Sequence, residues 1–413
     1  MKQIVVHYEK GASKVALLEN RKLVEYHVEH TGDRERAGNI YKGRVVNVLP
    51  GMQVAFIDIG LAKNAFLYID DLLPAHVDKK PNPKPSVEDL VQIGQTIMVQ
   101  VMKEPRGTKG ARVTTHFTIP GHWLVFLPNA DYVAVSKKID SEDERTRLKK
   151  IGDRIRKRGE GLIMRTVAAG EEQEAFEQDL KPLREIWASL LKMKKEHRGA
   201  PFLMYRDLDL IPRLIRDLFS EEIEEIIVDD EEQALEIQYM LYDISPGLEN
   251  LVQIYYEDIH IYDHYRVNKR LEQVYRRKIQ LHNGGNIVVD QTEAFTIIDV
   301  NTGKFTGVDD LAQTIFQTNL EAAKEILKIL RLRDISGMIL IDFIDMEQDQ
   351  HRQSIVEQME EWSKQDRTKM VIFGWTRLGL LEMTRKKIRH NLDELYLETC
   401  PQCSGRGKVP LPK

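Results

Sequence analysis

Ala294-Phe295-Thr296-Ile297-Ile298-Asp299-Val300-Asn301-Thr302-Gly303 reads as a strand that runs into a glycine-bearing loop. A second run, Met338-Ile339-Leu340-Ile341-Asp342-Phe343, is apolar until its end, as expected of a buried strand. Around them the pattern alternates. Strands are predicted at 286–290, 294–300, 338–343 and 370–374, and helices at 309–331, 350–364 and 378–389. That alternation over residues 281–397 predicts an open α/β sheet, in which ligand sites lie at the carboxyl ends of strands.

Both runs end in a carboxylate there. Period-two alternation puts Asp299 and Asn301 on one face of their strand, with Val300 opposite. A charge at the tip of a buried strand is costly unless paired or metal-bound. The plainer reading of either aspartate alone is a cap for the following loop. Two of them on neighbouring strands, with Asn301 beside one, favour a hard oxygen site suited to magnesium. Such an ion neutralises a phosphodiester and lowers the pKa of an attacking water. Asp345, three residues past Asp342, falls on the other face if the strand continues, so it is the weaker metal ligand. Competing chemistries lack their motifs. Gly303-Lys304-Phe305-Thr306-Gly307 lacks phosphate-loop spacing, and neither His-Glu-x-x-His nor Gly-x-Ser-x-Gly occurs.

Working outward, the 413 residues predict two to four folding units. Residues 1–36 read as two or three strands and a turn, and 216–280 as β-α-β. Residues 37–117 offer five strands (41–49, 52–59, 64–69, 96–103 and 112–118), which suits an OB-fold barrel. The runs Gly38-Asn39-Ile40-Tyr41-Lys42-Gly43-Arg44-Val45 and Val54-Ala55-Phe56-Ile57-Asp58-Ile59-Gly60, with Ala65-Phe66-Leu67, resemble an S1 domain. Such domains stack bases on aromatics while cations track the backbone, with Phe56, Phe66, Lys42 and Lys109 as candidates. The alternative for both phenylalanines is barrel core.

The net charge of −5 gives nucleic-acid binding no general support. Two local basic runs do: 145–158, on a helix predicted over 141–158, and Arg385-Lys386-Lys387-Ile388-Arg389-His390. Taken alone, each reads as a solvated helix face. No apolar run approaches the ~20 residues of a membrane span, and the N-terminus lacks a signal peptide's apolar stretch, so a cytoplasmic protein is expected.

The two cysteines, Cys400 and Cys403, stand in Cys400-Pro401-Gln402-Cys403-Ser404-Gly405-Arg406-Gly407. A thioredoxin-type pair wants a strand before it and a helix after it; here a glycine-rich tail follows. A zinc knuckle fits better. Structural zinc takes four ligands, so two thiolates per chain imply a site shared across a homodimer.

Several runs together resemble the bacterial RNase E/G family over nearly the whole chain. They are Asp299-Val300-Asn301-Thr302-Gly303, Thr318-Asn319-Leu320-Glu321-Ala322-Ala323, Leu330-Arg331-Leu332-Arg333-Asp334, Ile341-Asp342-Phe343-Ile344-Asp345-Met346, Gly379-Leu380-Leu381-Glu382-Met383-Thr384-Arg385 and the cysteine tail. The resemblance implies an α/β multidomain fold. An RNase H-like subdomain (1–36 and 216–280) is split by an S1-type OB-fold barrel (37–117) and a 5′-sensor region (118–215). A DNase I-like α/β catalytic subdomain (281–397) and a zinc link (398–413) follow. It implies a magnesium-dependent endoribonuclease with Asp299, Asn301 and Asp342 catalytic. Cleavage would fall in single-stranded, AU-rich RNA and leave 3′-hydroxyl and 5′-phosphate ends, in ribosomal and transfer RNA processing and messenger RNA decay. By motif, Arg165 and Thr166 in Gly161-Leu162-Ile163-Met164-Arg165-Thr166 hold a stimulating 5′-monophosphate, with Gly121 and Val125 at the pocket wall. The family's second sensor arginine is Lys369 here, which keeps the charge and loses the bidentate fork. The chain stops just past the cysteines, so the short form of the family and a dimer are expected. A non-catalytic S1-type RNA-binding protein is the alternative.

Overall fold

The fold is that of a computed structural model, which describes residues 1–30, 36–73, 85–105, 109–218, 223–244, 247–292, 294–302, 311–387, 391–398, 400–403, 405, 407 and 409. Gly303–Gly307 and 388–390 lie outside the described residues. Four sheets organise the chain.

Residues from both ends of a long excursion share the first sheet. Its order is Val252–Ile254, Ile223–Val228, Lys2–Glu9, Ala12–Glu19, Lys22–His30. Lys2–Glu9 pairs in parallel with Ile223–Val228 and antiparallel with Ala12–Glu19. It is apolar on both faces. Ile4 and Val6 pack with Leu210, Leu214 and Ile237, while Val5 packs with Tyr262, Val267 and Leu332. Burial on both sides explains its continuous apolar run.

The intervening chain builds two units. Ile40–Leu49, Val54–Asp58, Ala65–Tyr68, Arg112–Thr114 and Thr96–Lys103 form a closed, OB-like five-stranded barrel. Closure is by pairing Ile40–Leu49 with Thr96–Lys103, and Phe202–Tyr205 adds on outside. Beyond it, a small sheet of Val133–Val135, Gly161–Met164, Leu124–Leu127 and Ile119–Pro120 packs under the helices Glu142–Ile155 and Gln173–Glu196. Ser141 caps the first of these by accepting from the Glu144 amide, and Glu142, Asp143 and Glu144 fill its first turn. Within its basic run, Arg145, Arg147 and Arg156 each pair with an acid three residues earlier.

The fourth sheet carries the strands of the opening stretch. Its order is Lys278–Gln280, Asn286–Gln291, Phe295–Asn301, Gly337–Asp342, Leu381–Arg385, Met370–Trp375. One face is covered by Leu311–Leu332 and Asp349–Ser363. It buries Ile287, Val289, Ile298, Val300, Ile339, Ile341, Leu381 and Met383. The opposite face stays open, with Phe295, Ile297, Met338 and Phe373 exposed. Gly337–Asp342 is therefore buried on one side only, contrary to the expectation from its apolar sequence.

A second expectation fails here. The helix predicted at 378–389 is instead the strand Leu381–Arg385, joined to Met370–Trp375 through a turn in which Gly379 has φ +83°. Leu381, Met383 and Arg385 are buried in alternation with Glu382 and Thr384. Arg385, read from sequence as part of a basic surface, is 3% exposed and paired with Asp334 and Asp366.

Candidate active site

Asp299 and Asp342 are direct partners in the parallel pairing of Phe295–Asn301 with Gly337–Asp342. Both project from the open face, since Ile298, Val300 and Ile341 fill the core face. Asn301 lies on the same side, and its Nδ2 donates to Asp299 Oδ2 at 2.7 Å, fixing that carboxylate. The Asp342 carboxyl is pushed above its ordinary range by partial burial, then by the charges of Asp299 and Asp345. Asp345 thus acts on the site. The strand ends at Asp342, so the alternation that would send Asp345 to the other face does not apply.

Among the described residues no group of three or more His, Cys, Asp and Glu side chains is placed to hold a metal. The pair nonetheless suits magnesium, which commonly takes one or two carboxylates and completes its shell with water and phosphate oxygens. The charges of Asp299 and Asp345 add to the burial that raises the Asp342 pKa, and a divalent cation relieves that repulsion.

On the barrel, Phe56 and Phe66 are paired across neighbouring strands, half-buried on the side away from Ala55, Ile57, Ala65 and Leu67. They are therefore not core. Sequence reasoning missed their neighbours. Tyr68 meets Phe66 edge-on at 5.5 Å, and the Arg112 guanidinium lies 5.1 Å from the Tyr68 ring centre. The pairing of Ala65–Tyr68 with Arg112–Thr114 creates this group, and no local sequence signal announces it. Lys109 is exposed at the start of that segment. Lys42 is occupied elsewhere: its Nζ donates to the carbonyls of Lys194 and His197 at the end of Gln173–Glu196.

Val125, Arg165 and Thr166 line a cavity of about 770 Å³ together with Lys2, Lys138, Arg216, Arg331, Lys364 and Arg367; Asp217 is its acid. Arg165 donates to Asp217 at 2.8 Å and to the Gly121 carbonyl at 2.7 Å. Gly121 itself is a packing requirement. A Cβ there would lie 2.5 Å from an oxygen of Asp179, whose carboxylate accepts from the amides of His122, Trp123 and Leu124. Lys369 is exposed and is not among the lining residues. The Lys138 ammonium is within the lining and donates to the Asp366 carbonyl at 2.6 Å. Burial, with Arg367 and Arg331 nearby, lowers its pKa although Asp366 opposes the shift.

Cys400 is exposed and Cys403 half-exposed, both reduced. The Gly407 amide donates to Cys403 Sγ at 3.2 Å. The amides of Cys403 and Gln402, with the Cys403 thiol, hold the Cys400 thiol below its ordinary pKa. Amides aimed at sulfur stabilise thiolate, the form that ligates zinc. Among the described residues no helix is long and apolar enough to cross a membrane.

Known proteins are similar to this chain over nearly its whole length. A family model described as "Ribonuclease E/G family" matches residues 118–388. Ribonuclease G of Salmonella typhimurium (strain SL1344) is 40% identical over 412 residues, covering 98% of this chain and 84% of its own length. Ribonuclease G of Escherichia coli (strain K12) is 39% identical with the same coverage. Ribonuclease E of that strain is 35% identical over a match of 416 residues, covering 99% of this chain but 39% of the longer protein. With a family model across more than half its length and such identity from end to end, the chain belongs to the ribonuclease E/G family.

Proposed function

We propose that the chain is an endoribonuclease that cuts single-stranded RNA at Asp299 and Asp342 with magnesium as its metal, leaving 3′-hydroxyl and 5′-phosphate ends. The observation that carries the reading is the register, which sets the two carboxylates side by side on an open face. When bound there, magnesium would neutralise the scissile phosphate and lower the pKa of a water. Asn301 holds Asp299 in one orientation. Phe56 and Phe66, with Lys109, give single-stranded bases and backbone a platform on the barrel. An unstructured AU-rich RNA is the test substrate. Cleavage is expected with magnesium and none with EDTA; binding without cleavage in magnesium would instead identify a non-catalytic RNA-binding protein. Ribosomal and transfer RNA processing and messenger RNA decay, in the cytoplasm, are the settings this reading implies.

The cationic cavity takes the 5′-monophosphate of the substrate, held by Arg165, Thr166 and Lys138, with Val125 at the wall and Gly121 supporting Arg165. A charge-assisted hydrogen bond is worth about 1.5–3 kcal/mol. Lys138→Ala is therefore expected to cut the preference for 5′-monophosphate over 5′-hydroxyl RNA by roughly tenfold. Lys369→Ala should leave that preference intact, as measured with the two forms of one RNA. The opposite result would return the role to Lys369.

Cys400 and Cys403 supply half of a zinc site that a second copy completes, giving a homodimer. Native mass spectrometry should find one zinc per two chains, and Cys403→Ser should give metal-free monomers. A wild-type monomer without metal would refute the shared site.

A further inference from the structure

The open face of the fourth sheet continues past the carboxylates. Asp342 pairs with Asp299, Asp299 with Val288, and Val288 with Lys278, so these four side chains form one row across four strands. Ile279, between Lys278 and Gln280, points into the core, which places Lys278 on the carboxylate face. Strands lie about 4.8 Å apart, so Lys278 sits about 9.6 Å along the row from Asp299, before its side chain extends.

Its surroundings leave its charge available. Lys278 is exposed and makes no ion pair among the described residues. Its neighbour Arg277 is committed to Asp290 at 2.6 and 2.7 Å. Lys278 also borders a cavity of about 280 Å³ whose two carboxylates are engaged: Glu321 by the His282 amide, and Glu325 by Arg270 and Lys328. The next row of the open face, Asp290-Ile297-Leu340-Glu382, is apolar at its centre. A nucleic acid on this face therefore meets charge along one line and apolar surface beside it.

We infer that Lys278 is a positioning residue that holds a phosphate of the substrate RNA, next along the backbone from the one at Asp299 and Asp342. The inference rests on the carboxylate pair being the cleavage site. RNA crosses the strands with its backbone along the charged row. Lys278 touches no reacting atom; it fixes which phosphate reaches the carboxylates.

The test is the binding of a single-stranded RNA, followed by fluorescence anisotropy without added magnesium over a range of salt concentrations. Lys278→Ala should weaken binding up to about fivefold at low salt. It should also reduce the slope of log affinity against log salt by about 0.7, the loss of one phosphate contact. Lys278→Arg should restore both. In magnesium, Lys278→Ala should raise KM with kcat nearly unchanged. An unchanged slope in Lys278→Ala, or a Lys278→Arg protein that behaves like the alanine variant, overturns the inference. Cleavage persisting in EDTA would overturn the metal-site reading instead, and the salt slope distinguishes the two failures.

Discussion

Asp299→Asn or Asp342→Asn is expected to lower kcat by at least about 10³-fold while RNA binding and folding persist. A bound divalent ion contributes several kcal/mol of charge stabilisation in the transition state. At 1.36 kcal/mol per factor of ten, losing about 4 kcal/mol gives that drop. Asparagine preserves the shape, and both positions are exposed at strand ends, so the pairing of the two strands has no reason to change. Relief of the burial and repulsion that disfavour a charged Asp342 should leave stability unchanged or slightly improved. Single-turnover cleavage of one RNA by the three proteins, with anisotropy as the binding control, measures this. Full cleavage by either variant would remove these residues from the centre.

The largest stability effect is expected at Arg385→Leu. Its guanidinium is paired with Asp334 and, from Nε at 2.8 Å, with Asp366; the three residues are between 3% and 5% exposed. Burial disfavours the charged arginine, but its two carboxylates hold its pKa above the ordinary value. Removing one partner of a buried ion group typically costs about 3–5 kcal/mol, because the others remain charged and desolvated. Arg385→Leu should therefore lower the urea midpoint of the fourth sheet, read by hydrogen exchange at Leu381–Arg385. The triple change to apolar residues at 334, 366 and 385 should recover much of the loss. If Arg385→Leu unfolds like the wild type, the network contributes little.

These two sites differed in how readily the sequence disclosed them. Asp299 was visible because it ends a run whose period assigns it a face. Its partnership with Asp342 depended on two strands separated by a long helix, and only pairing could bring them level. Leu381–Arg385 was misread because Leu378, Leu381 and Arg385 also fit helical spacing, and five residues do not separate the two periods. Lys369 shows another limit. A match along the chain fixes its position, whereas the cavity beside Arg165 is lined by Lys364 and Arg367 close by. Tyr68 and Arg112 escaped notice because their association exists only across barrel strands.

The placement of Lys2–Glu9 in the middle of its sheet bears on how the chain is made. The ribosome releases this strand well before its parallel partner Ile223–Val228, which follows some 220 residues later. At about 5–20 residues per second, that edge stands unpaired for on the order of 10–40 s. During this interval Ile4, Val5 and Val6 lack the cover that Ile226, Ile237, Tyr262 and Val267 later give them, while the barrel can already close. The nascent protein thus exposes the edge of this strand to aggregation, and slower translation prolongs that exposure.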